Sequence, residues 1–261
     1  MANPLYGQNK VDNKIDDLLS GKRQVYHFGT PPVIDDYEHT AHALADGTAQ
    51  DTVLHSYADG LNMTWSAVVA QAINRPAPTT AGINYAGDQT NNDGVELVYS
   101  CTTTKGREGV DRFTVGSQAF SAEMEFSIAV VAGTDVGNFG FRKVEALQAD
   151  LHDYDEMAGL FPISGNISIQ TIINDASTVT TDTTSDWANT ETHALKVLVD
   201  KAGAVTYKID GAAPSTTVAY SFDTGEVVTP FIHFLQASGA QTGALVLRKF
   251  TVESDYGSLE S

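Results

Sequence analysis

The stretch LKVLVDKAGAVTYKI at residues 195–209 decides the fold. Apolar side chains alternate at positions 195, 197 and 199, and again at 205, 207 and 209, on either side of the short glycine-containing segment 200–203. Alternation with a period of two is typical of a half-buried strand, and two such runs around a short turn are typical of a β-hairpin. Asp210 and Gly211 mark the next turn. The sequence therefore predicts an antiparallel pair of strands here.

Further strands are predicted on both sides of this hairpin. Met124, Phe126 and Ile128 alternate with Glu123 and Glu125, which predicts a half-buried strand with its charges outward. Strand patterns recur at short spacing without long helical patterns between them, which disfavours parallel βαβ units. An all-β, antiparallel β-sandwich is therefore expected, with more strands near residues 167–173, 218–222, 227–235 and 244–252.

Hydrophobic content, net charge and cysteine count limit the classes of protein that fit this sequence. The 261 residues are 42% hydrophobic, enough for a core, and carry a net charge of −18. Because an acidic surface repels phosphate, nucleic acid is not expected as a partner. The sequence has no apolar run long enough to predict a membrane span. The first residues also lack the pattern of a secretory signal peptide. The single cysteine, Cys101, lies in the strand-like run 95–101 and is interpreted as a small buried hydrophobe.

The first thirty residues differ in pattern from the rest. Four apolar residues fall at i, i+4, i+7 and i+8, the spacing of one helix face. A helix of about three turns is marginal alone in water, so it needs a surface to lie on. We expect an N-terminal arm at 1–32, a polar connection at 33–93 that could join the sandwich, a sandwich domain at 94–254 and a tail at 255–261. The residues expected to anchor the arm are Val11, Ile15, Leu18 and Leu19.

Three pieces of the chain together resemble the concanavalin A-like (laminin G-like) jelly roll. The first is the strand at 120–128 followed by Gly-Phe-Arg at 140–142. The second is Asp-Trp at 186–187 with the hairpin at 192–211, and the third is the closing pair at 229–235 and 245–252. The resemblance covers about residues 95–254 and implies an antiparallel jelly-roll sandwich.

The opening residues carry a second resemblance. MANPLYGQNK at 1–10, followed by DNKID at 12–16, is similar to the start of virion structural proteins of marine tailed bacteriophages. Together, the two resemblances imply a capsid decoration (cement) protein with a lectin-like fold. In that family the arm crosses neighbouring capsid subunits and the domain faces outward. The implied partner is the major capsid protein, the implied location is the capsid exterior, and the family expectation is a homo-oligomer such as a trimer.

An alternative from the same fold is a carbohydrate-binding module on a head or tail fibre, with a surface polysaccharide as its ligand. Aromatic rings stack on sugars and amides hydrogen-bond to them. Trp187, Tyr154 and Asn189 are the candidate glycan contacts. Trp187 is also expected to anchor the Thr- and Asp-rich stretch 175–192 against the sheet.

Glycosidases that share the concanavalin-like fold place acidic residues at alternating positions on one strand, so that they reach the same sugar. Glu123 and Glu125 have this spacing, but Ile128 stands where a last acid is expected. The pair is therefore interpreted as a solvated face rather than as catalytic residues.

Two further patterns are compatible with a metal ion. Asp153, Asp155 and Glu156 form an acidic cluster that suits Ca²⁺ or a solvated loop equally well, and their spacing is not that of an EF-hand. His39 and His42 could share a metal only if their stretch is helical. No glycine-rich phosphate loop, nucleophile elbow or paired-cysteine motif is present. The sequence therefore predicts a non-enzymatic protein without cofactor or metal.

Overall fold

A computed structural model describes residues 113–254, apart from 147, 149 and 237–240, together with six short strand segments between residues 23 and 98. Within these ranges the chain forms sixteen strands and two short 3-10 turns, at Val131–Gly133 and Leu151–Asp153. None of the helices in the described part is long and apolar enough to cross a membrane. The strands are β1 (Arg23–His27), β2 (Thr52–Ser56), β3 (Asn62–Val68), β4 (Ala77–Thr79), β5 (Gly82–Gln89), β6 (Gly94–Val98), β7 (Phe113–Thr114), β8 (Phe120–Ile128), β9 (Thr134–Lys143), β10 (Met157–Ile163), β11 (Asn166–Ile172), β12 (Val179–Asp186), β13 (Thr192–Val199), β14 (Val205–Ile209), β15 (Val227–Gln236) and β16 (Gln241–Ser254).

The strands form two antiparallel sheets. Sheet A has the order β14-β13-β8-β16-β5-β4, with β1 also paired to β16. Sheet B has the order β12-β11-β10-β9-β15-β6-β3-β2, with β7 also paired to β15. Apolar side chains from both sheets meet in one buried cluster. The predicted all-β antiparallel sandwich is confirmed.

The hairpin that decides the fold forms as predicted. Its register runs from Leu195 opposite Ile209 to Val199 opposite Val205, and β13 then pairs along its other edge with β8. The turn between the strands depends on Gly203, which has a φ of +95° and lies so close to Phe222 that a Cβ would be 2.2 Å from the Phe222 carbonyl oxygen. Any other residue would be strained and crowded there.

Aromatic rings join the two sheets across the core. Phe126 of β8 stacks on Phe161 of β10, with ring centroids 5.9 Å apart and planes within 18°. Phe126 also contacts Trp187, which follows β12, at 4.8 Å. Because β8 belongs to sheet A and β10 belongs to sheet B, these contacts bury the alternating apolar residues of both sheets against each other.

No alternation of apolar and polar residues in the sequence predicts the strands before residue 94. Within the predicted polar connection, β2 and β3 extend sheet B beyond β6, while β4 and β5 extend sheet A beyond β16. Within the predicted arm, β1 lies along β16, with Arg23 opposite Glu253 and His27 opposite Lys249. Partner strands supply the hydrogen bonds here, and strand formation depends strongly on such context.

Two glycines allow β9 and β10 to approach closely in sheet B. Gly140 lies opposite Gly159. A Cβ on Gly140 would lie 2.1 Å from the carbonyl oxygen of Ala158, and a Cβ on Gly159 would lie 2.0 Å from Oδ1 of Asn138. Both contacts are far shorter than van der Waals distance, so neither position has room for a side chain.

We expect Gly140→Ala to lower the free energy of unfolding by about 1–3 kcal/mol, because the added methyl group forces the two strands apart. Urea denaturation measures this directly. Gly211→Asn is the matched control, because nothing lies within 4 Å of a Cβ at Gly211 and asparagine tolerates its φ of +82°. Equal stability of Gly140→Ala and the parent chain would contradict the close packing described here.

Candidate functional site

The outer face of sheet B carries polar side chains that are buried. Along β9, Phe139 and Phe141 point into the core between the sheets, so the alternate residues Asn138 and Arg142 lie on the opposite face. Asn138 is fully buried and Arg142 is 1% exposed. A fully buried arginine is rare unless it is paired. This face therefore requires a partner for the guanidinium group.

The partner is the carboxylate of Glu96 on β6, which is itself fully buried. Nη2 of Arg142 donates to Oε1 of Glu96 at 2.8 Å. Oε2 of Glu96 accepts from the hydroxyl of Tyr154 and lies 3.2 Å from Nδ1 of His233. We call these four residues the Glu96 network. One carboxylate is thereby held by donors from β9, from β15 and from the connection that precedes β10.

The guanidinium group of Arg142 has further partners. Its Nη1 donates to the carbonyl oxygens of Lys143 at 2.9 Å and Glu145 at 3.3 Å. Its planar face lies 4.6 Å from the ring centroid of Tyr154 and 5.7 Å from that of Phe231. A guanidinium stacked on an aromatic face gains cation–π attraction, which partly replaces lost hydration.

The connection between β9 and β10 lies over this network. Its 3-10 turn places Leu151, which is fully buried, and Tyr154, also fully buried, against the outer face. The backbone amide of Gln148 donates to the Tyr154 hydroxyl oxygen at 3.3 Å. A second apolar cluster, separate from the core between the sheets, results from this coverage: Val98, Leu151, Tyr154, Met157, Ile172 and Phe231.

The electrostatics fix the charge states of the Glu96 network. Burial alone would raise the pKa of Glu96, but the Arg142 charge and the hydrogen bonds from His233 and Tyr154 outweigh it, and the pKa lies below its usual range. Burial and the charge of Glu96 raise the pKa of Tyr154 well above its ordinary value. Glu96 is therefore an anion and Tyr154 a neutral donor at neutral pH.

Several buried atoms in or beside the network have no hydrogen-bond partner among the described residues, among them Nε of Arg142, Nε2 of His233 and Oδ1 of Asn138. His233 and Asn138 are opposite each other in the register of β15 and β9. Because Nδ1 of His233 faces the Glu96 anion, Nδ1 carries a proton. The four residues of the network are buried, and the network is a structural element of the sheet. Acid–base catalysis requires a group within hydrogen-bond reach of a substrate, and these side chains are buried.

A second charged group lies where β9 ends and β10 begins. Nζ of Lys143 is 2.5 Å from Oδ2 of Asp155 and 3.0 Å from Oε1 of Glu226. Of the acidic residues considered for Ca²⁺, Asp155 thus pairs with a lysine, Asp153 is exposed and Glu156 is 3% exposed. Among the described residues, no three histidine, cysteine or acidic side chains are arranged to hold a metal ion.

Two of the three predicted glycan contacts, Trp187 and Tyr154, are buried. Trp187 is 2% exposed and packs on Phe126, which confirms its predicted role as an anchor. Tyr154 belongs to the Glu96 network. Asn189 is exposed, and its Oδ1 accepts from the backbone amide of Val131 at 2.8 Å. In this structure neither the Trp187 ring nor the Tyr154 ring has a face open for stacking on a sugar.

The remaining candidate residues lie either on β8 or outside the described part of the chain. Glu123 and Glu125 are half-buried on β8, and Glu123 lies 3.8 Å from Nζ of Lys249. This agrees with the interpretation of a charged outer face. Several predictions fall outside the described residues: the arm residues Val11, Ile15, Leu18 and Leu19, the pair His39 and His42, and Cys101.

The comparisons with known proteins give only weak likenesses. No family model and no curated protein matches the sequence. Among solved structures, the carbohydrate recognition domain of Emp47p is 12% identical, with a TM-score of 0.49, over 72% of this chain and 87% of that chain. The botulinum neurotoxin serotype D binding domain is 10% identical, with a TM-score of 0.45, over 79% of this chain and 48% of that chain.

A third similar structure is the binding domain of botulinum neurotoxin DC in complex with rat synaptotagmin II, at 11% identity and a TM-score of 0.46. This chain spans about half the length of the two neurotoxin structures. At these identities and scores, the likenesses carry no argument about what this protein binds.

We expect Tyr154→Phe to lower the free energy of unfolding by about 1–3 kcal/mol, because Glu96 loses a donor that water cannot replace. Thermal and urea denaturation measure the change. Tyr207→Phe is the matched control: Tyr207 is 3% exposed, but its hydroxyl has no hydrogen-bond partner among the described residues. Removing that hydroxyl should leave stability unchanged or slightly higher. Equal losses in the two variants would show that the Tyr154 hydroxyl does not support the Glu96 carboxylate.

Proposed function

We propose that this chain is a non-catalytic attachment protein, a rigid β-sandwich that binds its partner through its N-terminal segment. The observation that carries the proposal is the pairing of β1 with β16. It places residues 23–27 in sheet A beside β16, next to the segment proposed as the arm. An arm that starts from a fixed strand can span to a neighbouring molecule without disturbing the core.

The charge distribution supports an arm with a different partner from that of the domain. Residues 1–30 carry four basic and three acidic side chains, a net of +1, whereas the whole chain has −18. The remainder is thus strongly acidic. The nearly neutral segment, with the apolar positions Val11, Ile15, Leu18 and Leu19, is the part best suited to bury surface against another protein.

The Glu96 network supports a scaffold role for the sandwich. Its charges are used inside the protein, where they hold β6, β9 and β15 and the connection before β10 in place. A scaffold of this kind presents its edges and loops in fixed positions, which reduces the entropy lost on binding.

The more specific proposal is a structural protein of a virion that decorates the capsid exterior and binds the major capsid protein, as a homo-oligomer such as a trimer. The resemblance of residues 1–16 to virion proteins supports this assignment. About 800 Å² buried on each partner is enough for specific attachment. The alternative, a carbohydrate-binding module of a fibre, loses two of its three candidate contacts, because Trp187 and Tyr154 are buried.

We expect deletion of residues 1–22 to abolish binding to capsids while the sandwich stays folded, because the cut lies before β1. Binding is measured by co-sedimentation with capsids purified without the chain, and folding is measured by circular dichroism. Ile15→Asp combined with Leu18→Asp should weaken binding in the full-length chain, because both changes place a charge on the apolar helix face.

Asp17→Asn is the matched control, because position 17 falls on the side of the predicted helix opposite the apolar face, and it should bind like the parent chain. Mass spectrometry of gradient-purified virions supplies the copy number of the native chain. Unchanged sedimentation of the deleted protein with capsids would overturn attachment through the arm. A chain absent from virions that binds an immobilised polysaccharide would favour the fibre module instead.

A further inference from the structure

One buried carboxyl group takes no part in the Glu96 network. Glu156 immediately precedes β10 and is 3% exposed, and its Oε2 has no hydrogen-bond partner among the described residues. Its backbone carbonyl accepts from the amide of Lys143 at 2.9 Å. An ionised carboxylate in such a place would lack the donors that normally compensate for burial.

The surroundings of Glu156 are acidic. The groups that act on it are Glu226 and Asp223 from the turn before β15, Asp155 from its own connection, and Lys143 from the end of β9. The phenol of Tyr220 also lies close enough to sense the charge of Glu156. Only Lys143 among these groups is basic, and its Nζ is already paired with Asp155 and Glu226.

The turn that carries Asp223 and Glu226 is joined to the rest of the sandwich by a few backbone hydrogen bonds. The amide of Gly225 donates to the Val115 carbonyl, and the amide of Val115 donates to the Glu226 carbonyl, both at 2.9 Å. The amide of Val144 donates to the Val227 carbonyl at 2.9 Å. These bonds and the Lys143 ion pairs help to hold this end closed.

We propose that this end of the sandwich is a proton-dependent clasp, in which neutral Glu156 lets Lys143 hold the turn at 223–226 against β9 and β10, and ionised Glu156 loosens it. The clasp comprises Lys143, Asp155, Glu156, Asp223 and Glu226. It adds a control by pH to the sandwich, and it does not depend on the proposed attachment to capsids.

The direction of the effect follows from linkage. Burial, followed by the negative charge of Glu226, raises the pKa of Glu156 to about 7 against the opposing charge of Lys143. The open clasp exposes Glu156 to water, where a glutamate titrates near 4.3. At a pH between these two pKa values, Glu156 therefore keeps its proton in the closed state and loses it in the open state. The contribution of Glu156 to the closed state is therefore complete below about pH 4.5, is lost as the pH rises toward 7 and changes little above that.

Hydrogen exchange followed by NMR tests the clasp in the full-length protein. After correction for intrinsic exchange rates, we expect the protection of the Val115, Val144 and Gly225 amides to fall at least ~10-fold between pH 5 and pH 7.5. In Glu156→Gln, which mimics the neutral form, we expect less than a roughly 3-fold change over the same range. Amides in the pairing of β8 with β13 report any global change in stability.

Asp223→Asn is the second variant, because it removes an exposed like charge and keeps the backbone hydrogen bonds. It should move the upper end of the pH window downward by a few tenths of a unit, even if Glu156→Gln does not fold. The proposal is overturned if the parent chain shows no pH dependence at these amides. It is also overturned if Glu156→Gln shows the same dependence as the parent chain.

Discussion

The structure of sheet B depends on one buried anion, the carboxylate of Glu96. Removing a carboxylate from water costs several kcal/mol even in a relaxed protein, so each of its donors is required rather than optional. Those donors come from residues 46, 58 and 137 positions away along the chain. A single charge therefore fixes the relative positions of β6, β9, β15 and the connection before β10.

This requirement explains why the outer face of sheet B is a second buried layer rather than a solvated surface. The connection between β9 and β10 covers Arg142 with Tyr154 and adds Leu151 to an apolar cluster. The same connection ends at Asp155 and Glu156, so the network and the clasp are neighbours along the chain. The sandwich thus joins a strongly held centre to an end whose charge balance depends on pH.

Local patterns in the sequence predicted the parts of the fold that depend on local contacts. Three local predictions are confirmed: the β13–β14 hairpin, the alternation of β8 and the anchoring of Trp187. The first two follow from period-two alternation, which directly reports burial on one face of a strand. The Glu96 network was missed because Glu96 and His233 are single polar residues within the apolar strands GVELV and VVTPFIHFLQ. Such residues are buried because strands distant in the sequence pair with each other. Alternation within one strand does not encode that pairing. Tyr154 was assigned to the surface for the same reason.

A double-mutant cycle on Glu96 and Arg142 tests the central claim most directly, with the free energy of unfolding measured by urea denaturation. Arg142→Met alone should cost about 3–5 kcal/mol, because it leaves a buried anion without its main partner. Adding Glu96→Gln removes that anion, so the double variant should be more stable than the sum of the two single losses predicts, by about 2 kcal/mol or more. Losses that add to within about 0.5 kcal/mol would contradict the account, because they would show that the two charges do not depend on each other.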